Sequence, residues 1–181
     1  KAYAEQNGIS ESEAKKLAVI DESDFEAIEG MAYLVFFRKL HKLYKNFKNH
    51  IFIIAWDSAG SSDWRREVYE SYKSNRDYAT DPTWSIFFTV RDELREVLKS
   101  YPMHQIKIER LEADDIMYEM SRQLSEEGHK VVIISGDSDM IQVVQEFGVK
   151  LFHPIKHKYV PAPKTYDYCI YKAIKGDKSD T

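Results

Sequence analysis

Apolar residues along the chain follow two spacings, one typical of helices and one of buried strands. Between residues 33 and 47 they recur every three or four positions, with lysines on the opposite face, which predicts an amphipathic helix. The continuous apolar run 51–56 that follows predicts a fully buried strand. A second long helix is predicted over 84–98, closed by Pro102, and a short strand over 105–109.

The second half of the chain repeats this alternation. An apolar stripe over 113–124 predicts a helix ended by Gly128, and the run 131–135 predicts another buried strand. A short helix over 139–146, a strand over 149–152, a proline-rich hairpin and a helix over 166–174 complete the chain. Strands that alternate with helices in this way predict an α/β fold with a mostly parallel central sheet and helices on both faces.

Length and composition narrow the class of protein. The chain has 181 residues, so we expect residues 1–181 to form a single domain. Cys169 is the only cysteine, which excludes a disulfide framework and a cysteine-rich zinc module and favours a reducing compartment. No signal peptide or membrane-spanning run is evident, so we expect a soluble, cytoplasmic protein without membrane contact. The start without Met and the end at KGDKSDT suggest a fragment of a longer protein.

The charges are unevenly distributed. The net charge is −4, yet residues 31–56 contain five lysines and arginines and no acid. Such a run predicts either a basic face for a polyanion or an ordinary solvated helix face, and the sequence leaves both open.

Carboxylates follow several of the predicted strands. Asp57 follows the run 51–56, Asp137 and Asp139 follow 131–135, and the segment 112–115 connects the strand 105–109 to its helix. Parallel strands end at one edge of a sheet, so these side chains should cluster there. Oxygen-only ligands point to Mg²⁺ or Mn²⁺, and the carboxylates are numerous enough for two ions. Each group alone could instead be a helix cap or turn residue.

Basic and aromatic residues are concentrated in the segment 63–77. It carries Arg65, Arg66, Lys73 and Arg76, and Trp64, Tyr69 and Tyr72 lie among them. Cations beside an acidic edge suit a phosphate that bridges the two, and aromatic rings can stack on unpaired bases. An ordinary charged surface turn is the alternative.

Four motifs together resemble one family, the 5′ nucleases, and within it the bacteriophage ribonuclease H and flap endonuclease branch. The 5′ nuclease domain of bacterial DNA polymerase I is related. The motifs are YKSNR at 72–76, EADD at 112–115, EGHKVVIISGDSDMIQ at 127–142 and KGDKSD at 175–180. The resemblance implies a PIN-like 5′ nuclease core that uses two Mg²⁺ ions, with Mn²⁺ as a substitute. Its substrate would be DNA or RNA/DNA with a 5′ end or flap, such as an RNA primer, in phage replication.

The resemblance also implies roles for individual residues. The expected metal ligands, direct or through water, are Asp57, Glu112, Asp114, Asp115, Asp137, Asp139, Asp177 and Asp180. Lys73 and Arg76 would be catalytic, and the nucleic-acid contacts would be Arg65, Arg66, Tyr72, Lys73 and Arg76. Residues 74–99 would form an arch over the single-stranded 5′ end. The family resemblance further implies a monomer in the host cytoplasm, with replication proteins such as a single-strand-binding protein as possible partners.

Two departures from the family pattern are evident. The family opens with a strand whose Asp binds metal, but Asp21 in AVID lies only ten residues before Met31, closer than the family spacing. Thr181 also stands where the family has Asn before a duplex-binding helical hairpin. We therefore expect the first strand and that hairpin to be missing, and duplex binding to be weakened.

Two other functions remain open at this point. ISGDSD at a strand end suggests a phosphatase of the haloacid dehalogenase type, although the D-x-D-x-T motif that such a phosphatase needs is absent. A nucleic-acid-binding module with an incomplete metal site is the non-enzymatic alternative.

Overall fold

The computed structural model describes residues 22–73 and 82–176, which form six helices and five strands. In chain order they are α1 Glu22–Asn46, β1 Ile53–Trp56, α2 Asp63–Val68, α3 Pro82–Leu98, β2 His104–Lys107, α4 Ala113–Glu126, β3 Val132–Ile134, α5 Met140–Phe147, β4 Lys150–His153, β5 Lys158–Val160 and α6 Tyr168–Lys175. The predicted α/β class is confirmed, and every predicted helix and strand is present.

Two helical segments depart from the prediction. Helix α1 begins at Glu22, well before the apolar stripe, because its first turns are rich in Glu and Ala, which favour a helix without any apolar periodicity. Helix α2 has six residues, too few for a periodic pattern to reveal.

The strands pair mostly in parallel, but those of the described residues are divided between two small sheets. Strand β1 pairs with β2 in parallel, with Ile53 opposite His104. Strand β3 pairs with β4 in parallel, and β4 pairs with β5 as an antiparallel hairpin. An apolar run indicates that a strand is buried but does not identify the strand beside it. The division into two sheets could therefore not be predicted from the sequence.

The main core lies between α5 and the sheet of β3, β4 and β5. It is built from Ile133, Met140, Val143, Val149 and Leu151, and Val143 is fully buried. Partly buried side chains of α4, Met117 and Tyr118 among them, pack against this core. Helix α4 also contacts β1 and β2, so it connects the two sheets.

Aromatic contacts attach α1 to the rest of the fold. Phe47, just beyond the end of α1, lies 5.4 Å from the ring of Phe152 in β4. Farther up the helix, Phe37 contacts Tyr101 and the Tyr33 hydroxyl donates a hydrogen bond to Glu93 of α3. The apolar stripe of α1 therefore faces the protein, and its lysines face solvent.

A search of the described helices found none that combines the length and the hydropathy needed to cross a membrane.

Replacement of Leu151 tests the core. Leu151 is 2% exposed, so Leu151→Ala should cost about 2–5 kcal/mol through lost burial and the resulting cavity. For a chain of this size we expect Tm to fall by about 5–15 °C in a thermal melt. Ile155→Ala is the control, since Ile155 is 68% exposed and its truncation should leave Tm nearly unchanged. Equal effects of the two changes would contradict this core.

Candidate active site

The end of β1 is tied to the start of α4. Asp57 directly follows β1, and its carboxylate accepts a hydrogen bond from the backbone N–H of Ala113 at 2.7 Å. The next residue, Ser58, donates from its backbone N–H and from Oγ to the Leu111 carbonyl, at 3.2 and 3.1 Å. Asp57 thereby satisfies one of the unpaired N–H groups at the beginning of α4.

The EADD motif forms the N-terminus of α4. Glu112 is the N-cap residue with an extended backbone, and the Asp115 carboxylate accepts a hydrogen bond from the Glu112 backbone N–H at 3.0 Å. Acids in this turn are favoured by the unpaired N–H groups and the helix dipole. The local structure therefore fixes both carboxylates at one end of the helix.

Glu112 is a buried carboxylate at the centre of a hydrogen-bond network. Its side chain accepts from Lys73 Nζ at 2.9 and 3.0 Å, from Ser62 Oγ at 2.9 Å and from the Tyr72 hydroxyl at 3.2 Å. Burial alone would raise the pKa of Glu112, but the hydrogen bonds from Lys73 and Ser62 and the positive charges of Lys73 and Arg65 lower it below its usual value. Glu112 is therefore ionised at neutral pH.

Lys73 carries the charge that compensates Glu112. Burial favours a lower pKa for Lys73, but hydrogen bonds to Glu112 and Tyr72 outweigh burial and raise the pKa above its usual value. Its backbone has φ +53°, a left-handed conformation that non-glycine residues seldom adopt. The contacts to Glu112 therefore hold Lys73 in a backbone conformation that is unfavourable by itself.

Arg65 of α2 makes the second strong ion pair. Its guanidinium lies 2.6 Å from Asp115 Oδ1, and it sits 4.3 Å from the Trp64 ring and 5.8 Å from the Tyr72 ring. Stacked between aromatic rings, the guanidinium is oriented as well as paired.

The pKa of Asp114 is affected by burial and by neighbouring carboxylates. Burial, the largest cause, and the charges of Asp137, Asp57 and Glu112 together raise the pKa of Asp114 to about 6, against the opposing charge of Lys73. Repulsion of this kind requires proximity. The structure therefore brings together carboxylates from the end of β1, the start of α4 and the loop after β3.

The loop after β3 is held by its own polar side chains. The Asp137 carboxylate accepts from the Asp139 backbone N–H at 2.8 Å, and Ser135 Oγ accepts from the Asp137 N–H at 3.0 Å. Asp139, at the start of α5, is paired at 2.8 Å with Lys172 of α6. The loop thus points Asp137 towards solvent and Asp139 towards α6.

An open cavity of about 410 Å³ joins these groups. It is lined by Arg65, Tyr72, Glu112, Asp114, Asp115, Tyr118, Asp139, Met140 and Gln142. Carboxylates, a guanidinium and aromatic rings share this lining, so a bound anion and a bound cation could lie in contact here.

The predicted residues fall into three groups. Asp57, Glu112, Asp114, Asp115, Asp137 and Asp139 come to the cavity or its edge, as do Arg65, Tyr72 and Lys73. Arg66 instead lies exposed on α2, 3.6 Å from Asp63. Asp177, Asp180 and Arg76 lie outside the described residues.

The metal site itself stays a prediction. Within residues 22–73 and 82–176 no three His, Cys, Asp or Glu side chains lie close enough to hold a metal ion. Glu112, Asp115 and Asp139 are paired with basic side chains instead. The donors nevertheless fit a hard divalent cation, because they are all carboxylates, and a cation would relieve the burial and the neighbouring charges that raise the pKa of Asp114.

Four polar residues of this region were not anticipated: Ser62, Tyr118, Gln142 and Lys172. Ser62 lay in a loop read only as a turn, and Tyr118 and Gln142 lie on helix faces that the apolar periodicity does not single out. Lys172 reaches Asp139 only because α6 packs on α5, a contact that no local pattern encodes.

Comparison with known proteins identifies the family of the chain. The family model described as 5′-3′ exonuclease, N-terminal resolvase-like domain, matches residues 15–169. The chain is 34% identical over 134 residues to Ribonuclease H of Enterobacteria phage T4, covering 71% of this chain and 44% of that protein. It is 32% identical over 164 residues to a 5′-3′ exonuclease of Buchnera aphidicola, covering 85% of this chain and 53% of that protein. The chain thus spans about half the length of these relatives.

A solved structure shares the fold. It is the bacteriophage T5 flap endonuclease in a pseudo-enzyme–product complex with DNA and metal ions, with a TM-score of 0.60 and 23% identity, covering 78% of this chain and 57% of that chain. At this identity the likeness concerns the fold alone.

Asp114→Asn tests the crowding of carboxylates. Since the pKa of Asp114 is raised from 3.8 to about 6, the ionised carboxylate destabilises the fold above about pH 6, and the cost disappears as pH falls towards 3.8. Solvent screens part of this effect, so we expect about 1 kcal/mol, or a Tm increase of about 2–4 °C at neutral pH without divalent ions. The difference from the unsubstituted protein should vanish at the acidic end of that range.

Glu70→Gln is the matched control for charge removal, because Glu70 is exposed. A lower Tm for Asp114→Asn at neutral pH, or an increase that persists at acidic pH, would contradict the repulsion described here.

Proposed function

The chain belongs to the 5′-3′ exonuclease N-terminal domain family, and on this premise we propose that it is a Mg²⁺-dependent 5′ nuclease. Its reaction is hydrolysis of phosphodiester bonds at 5′ ends or flaps of DNA, or of RNA primers paired to DNA. The observation that supports it best is the cavity at the start of α4, where Glu112, Asp114, Asp115 and Asp139 lie beside Arg65 and Tyr72 and where Lys73 is paired with Glu112. Such a site can place a phosphate between metal ions and fixed cations.

The carboxylates would hold the metal ions. Three candidate ligands form no ion pair with basic residues of the described chain: Asp57, Asp114 and Asp137. The other three would exchange a basic partner for the metal: Glu112, Asp115 and Asp139. Two Mg²⁺ ions, or Mn²⁺ in their place, would supply Lewis-acid stabilisation and an activated water when bound. The proposed ligands Asp177 and Asp180 rest on the KGDKSD motif alone.

The basic side of the cavity would bind the substrate phosphate. Lys73 is the proposed electrostatic catalyst, because its ammonium is held charged and half-buried beside the carboxylates, where it acts more strongly than in water. Arg65 and Tyr72 would contact the nucleic acid next to it, with the exposed Trp64 available to stack on an unpaired base. Arg66 and Arg76 are proposed contacts on the strength of their motif.

One observation favours a second function, a nucleic-acid-binding module without catalysis. Glu112, Asp115 and Asp139 are neutralised by basic partners, and a cavity that stayed in this state would bind a polyanion weakly and cleave nothing. The resemblance to haloacid dehalogenase phosphatases has no structural support of this kind. Action as a monomer in a host cytoplasm, beside a single-strand-binding protein, is proposed from the family resemblance alone.

A labelled 5′-flap substrate tests the proposal. With Mg²⁺ the protein should release a short 5′ product, EDTA should abolish release, and p-nitrophenyl phosphate should not be hydrolysed. Binding of the flap without cleavage at any Mg²⁺ or Mn²⁺ concentration would favour the binding module. Hydrolysis of p-nitrophenyl phosphate without flap cleavage would favour the phosphatase.

Lys73→Ala tests the role of the cation. A charge aimed at the phosphate acts mainly in the transition state, so kcat should fall by on the order of 10²-fold while KM changes far less. Single-turnover cleavage of the flap substrate separates the two effects. Lys130→Ala, at an exposed lysine to which no role is assigned, should leave both constants unchanged. An equal loss of affinity and rate would reduce Lys73 to an ordinary phosphate contact.

A further inference from the structure

Two segments of this acidic chain contain no acid at all. Residues 31–56 and 148–166 together carry nine of the 26 lysines and arginines and none of the 30 aspartates and glutamates. The first segment covers most of α1 and β1, and the second covers the hairpin of β4 and β5. Charge segregated to this degree produces a locally positive potential on a protein whose net charge is negative.

The cations of α1 form a row on its outer side. Arg38, Lys42 and Lys45 recur at intervals of four and three residues and are exposed, and Lys48 continues the row past the end of the helix. At 100° per residue they lie opposite the apolar stripe that faces the protein. The row therefore points directly into solvent.

These side chains have no carboxylate partners in the part of the chain that the structure describes. Cations elsewhere do have such partners: Lys99, directly after α3, pairs with Glu96 at 2.6 Å, and Arg122 of α4 pairs with Glu119 at 2.6 Å and with Glu126 at 2.8 Å. The row on α1 leaves its charge available to a partner.

Aromatic rings connect the row to the hairpin. The Phe47 ring lies 5.4 Å from Phe152 of β4, which lies 5.4 Å from Tyr159 of β5. Residues two apart on a strand share a face, so Lys150 lies on the same side of β4 as Phe152, with its Nζ 5.7 Å from the Tyr159 ring. The hairpin therefore adds a cation next to the end of α1.

We propose that Arg38, Lys42, Lys45, Lys48 and Lys150 form a basic face that binds the phosphate backbone of duplex nucleic acid. None of these residues lines the cavity at the start of α4, and the inference rests on the proposed function only in taking nucleic acid as the substrate.

The dimensions fit that partner. Arg38 and Lys45 are two helical turns apart, about 10 Å, a distance over which B-DNA rises by about three base pairs, and three cations occupy this distance. The row is polar and convex and carries no aromatic side chain for stacking, so it suits a paired backbone better than single-stranded bases.

The test compares two variants that lose the same charge. Lys42→Gln/Lys45→Gln removes two cations of the basic face, and Lys107→Gln/Lys130→Gln removes two exposed lysines elsewhere. Binding of a labelled blunt DNA duplex is measured in EDTA, to prevent cleavage, over a series of salt concentrations. Glutamine favours helix, and circular dichroism with a thermal melt confirms that each variant is folded.

We expect the basic-face variant to bind the duplex about tenfold more weakly at moderate salt. The slope of log affinity against log salt should decrease by about two, because each lost phosphate contact removes about 0.9 from it. The control variant should match the unsubstituted protein. Equal salt slopes for the two variants would overturn the proposal. Poly-L-glutamate serves as a probe for an acidic protein partner. A basic-face variant that keeps its duplex affinity but no longer binds poly-L-glutamate would also overturn the proposal, in favour of such a partner.

Cleavage of the flap substrate separates this inference from the proposed function. The basic-face variant should keep kcat and raise KM. Cleavage with unchanged KM and unchanged salt slope would overturn the basic face alone. A protein that binds duplex through this face and cleaves no substrate would overturn the nuclease proposal alone.

Discussion

The buried carboxylate of Glu112 has to be neutralised, and much of the site is arranged to do so. A carboxylate that is 7% exposed would lose its charge or destabilise the fold without partners. Its partners come from two places in the sequence, Ser62 before α2 and Tyr72 and Lys73 after it, while Glu112 itself is the N-cap residue of α4. One ionised side chain thus fixes the segment between β1 and residue 73 against the helix that joins the two sheets.

Asp114, two residues after Glu112, has no such basic partner among the described residues. Lys73 compensates Glu112 and Arg65 compensates Asp115, but Asp114 between them is left with the charges of Asp57 and Asp137 nearby, and its pKa rises to about 6. A fold selected for stability alone would have little reason to keep an acid there, because repulsion and burial both act against its charge. Sites where local rules are violated without local compensation are often functional. That violation, more than the number of acids, distinguishes this cavity from an acidic surface.

The helices and strands, and part of the site, could be predicted from the sequence. The features that could not be predicted are those that depend on how distant segments pack together. Helix α4 and strand β3 follow from local periodicity, because a side chain's spacing along the chain determines the face it occupies. The meeting of Asp57 with Ala113 followed from the general rule for the ends of parallel strands. The pairing of Asp139 with Lys172 did not, since it depends on how α6 docks on α5. Lys73 and Arg65 were expected to face a phosphate. Their ion pairs with Glu112 and Asp115 were not predicted, because these residues are far apart in sequence and meet only in the folded chain.

The acidic cavity and the proposed basic face of α1 carry opposite charges and would act in opposite ways on a bound nucleic acid. Carboxylates that gather metal ions repel a nucleic acid, whose phosphates carry the same sign of charge, and the net charge of −4 adds to that repulsion. At physiological ionic strength, potentials fade over about 8 Å, so charges on separate faces act largely independently. Within the described residues, the cations of the proposed basic face on α1 and the hairpin form no ion pair with the carboxylates of the cavity, so the two sets of charges would not cancel each other. Lys73 and Arg65, in contrast, pair with carboxylates of the cavity and are the cations proposed to meet the phosphate there.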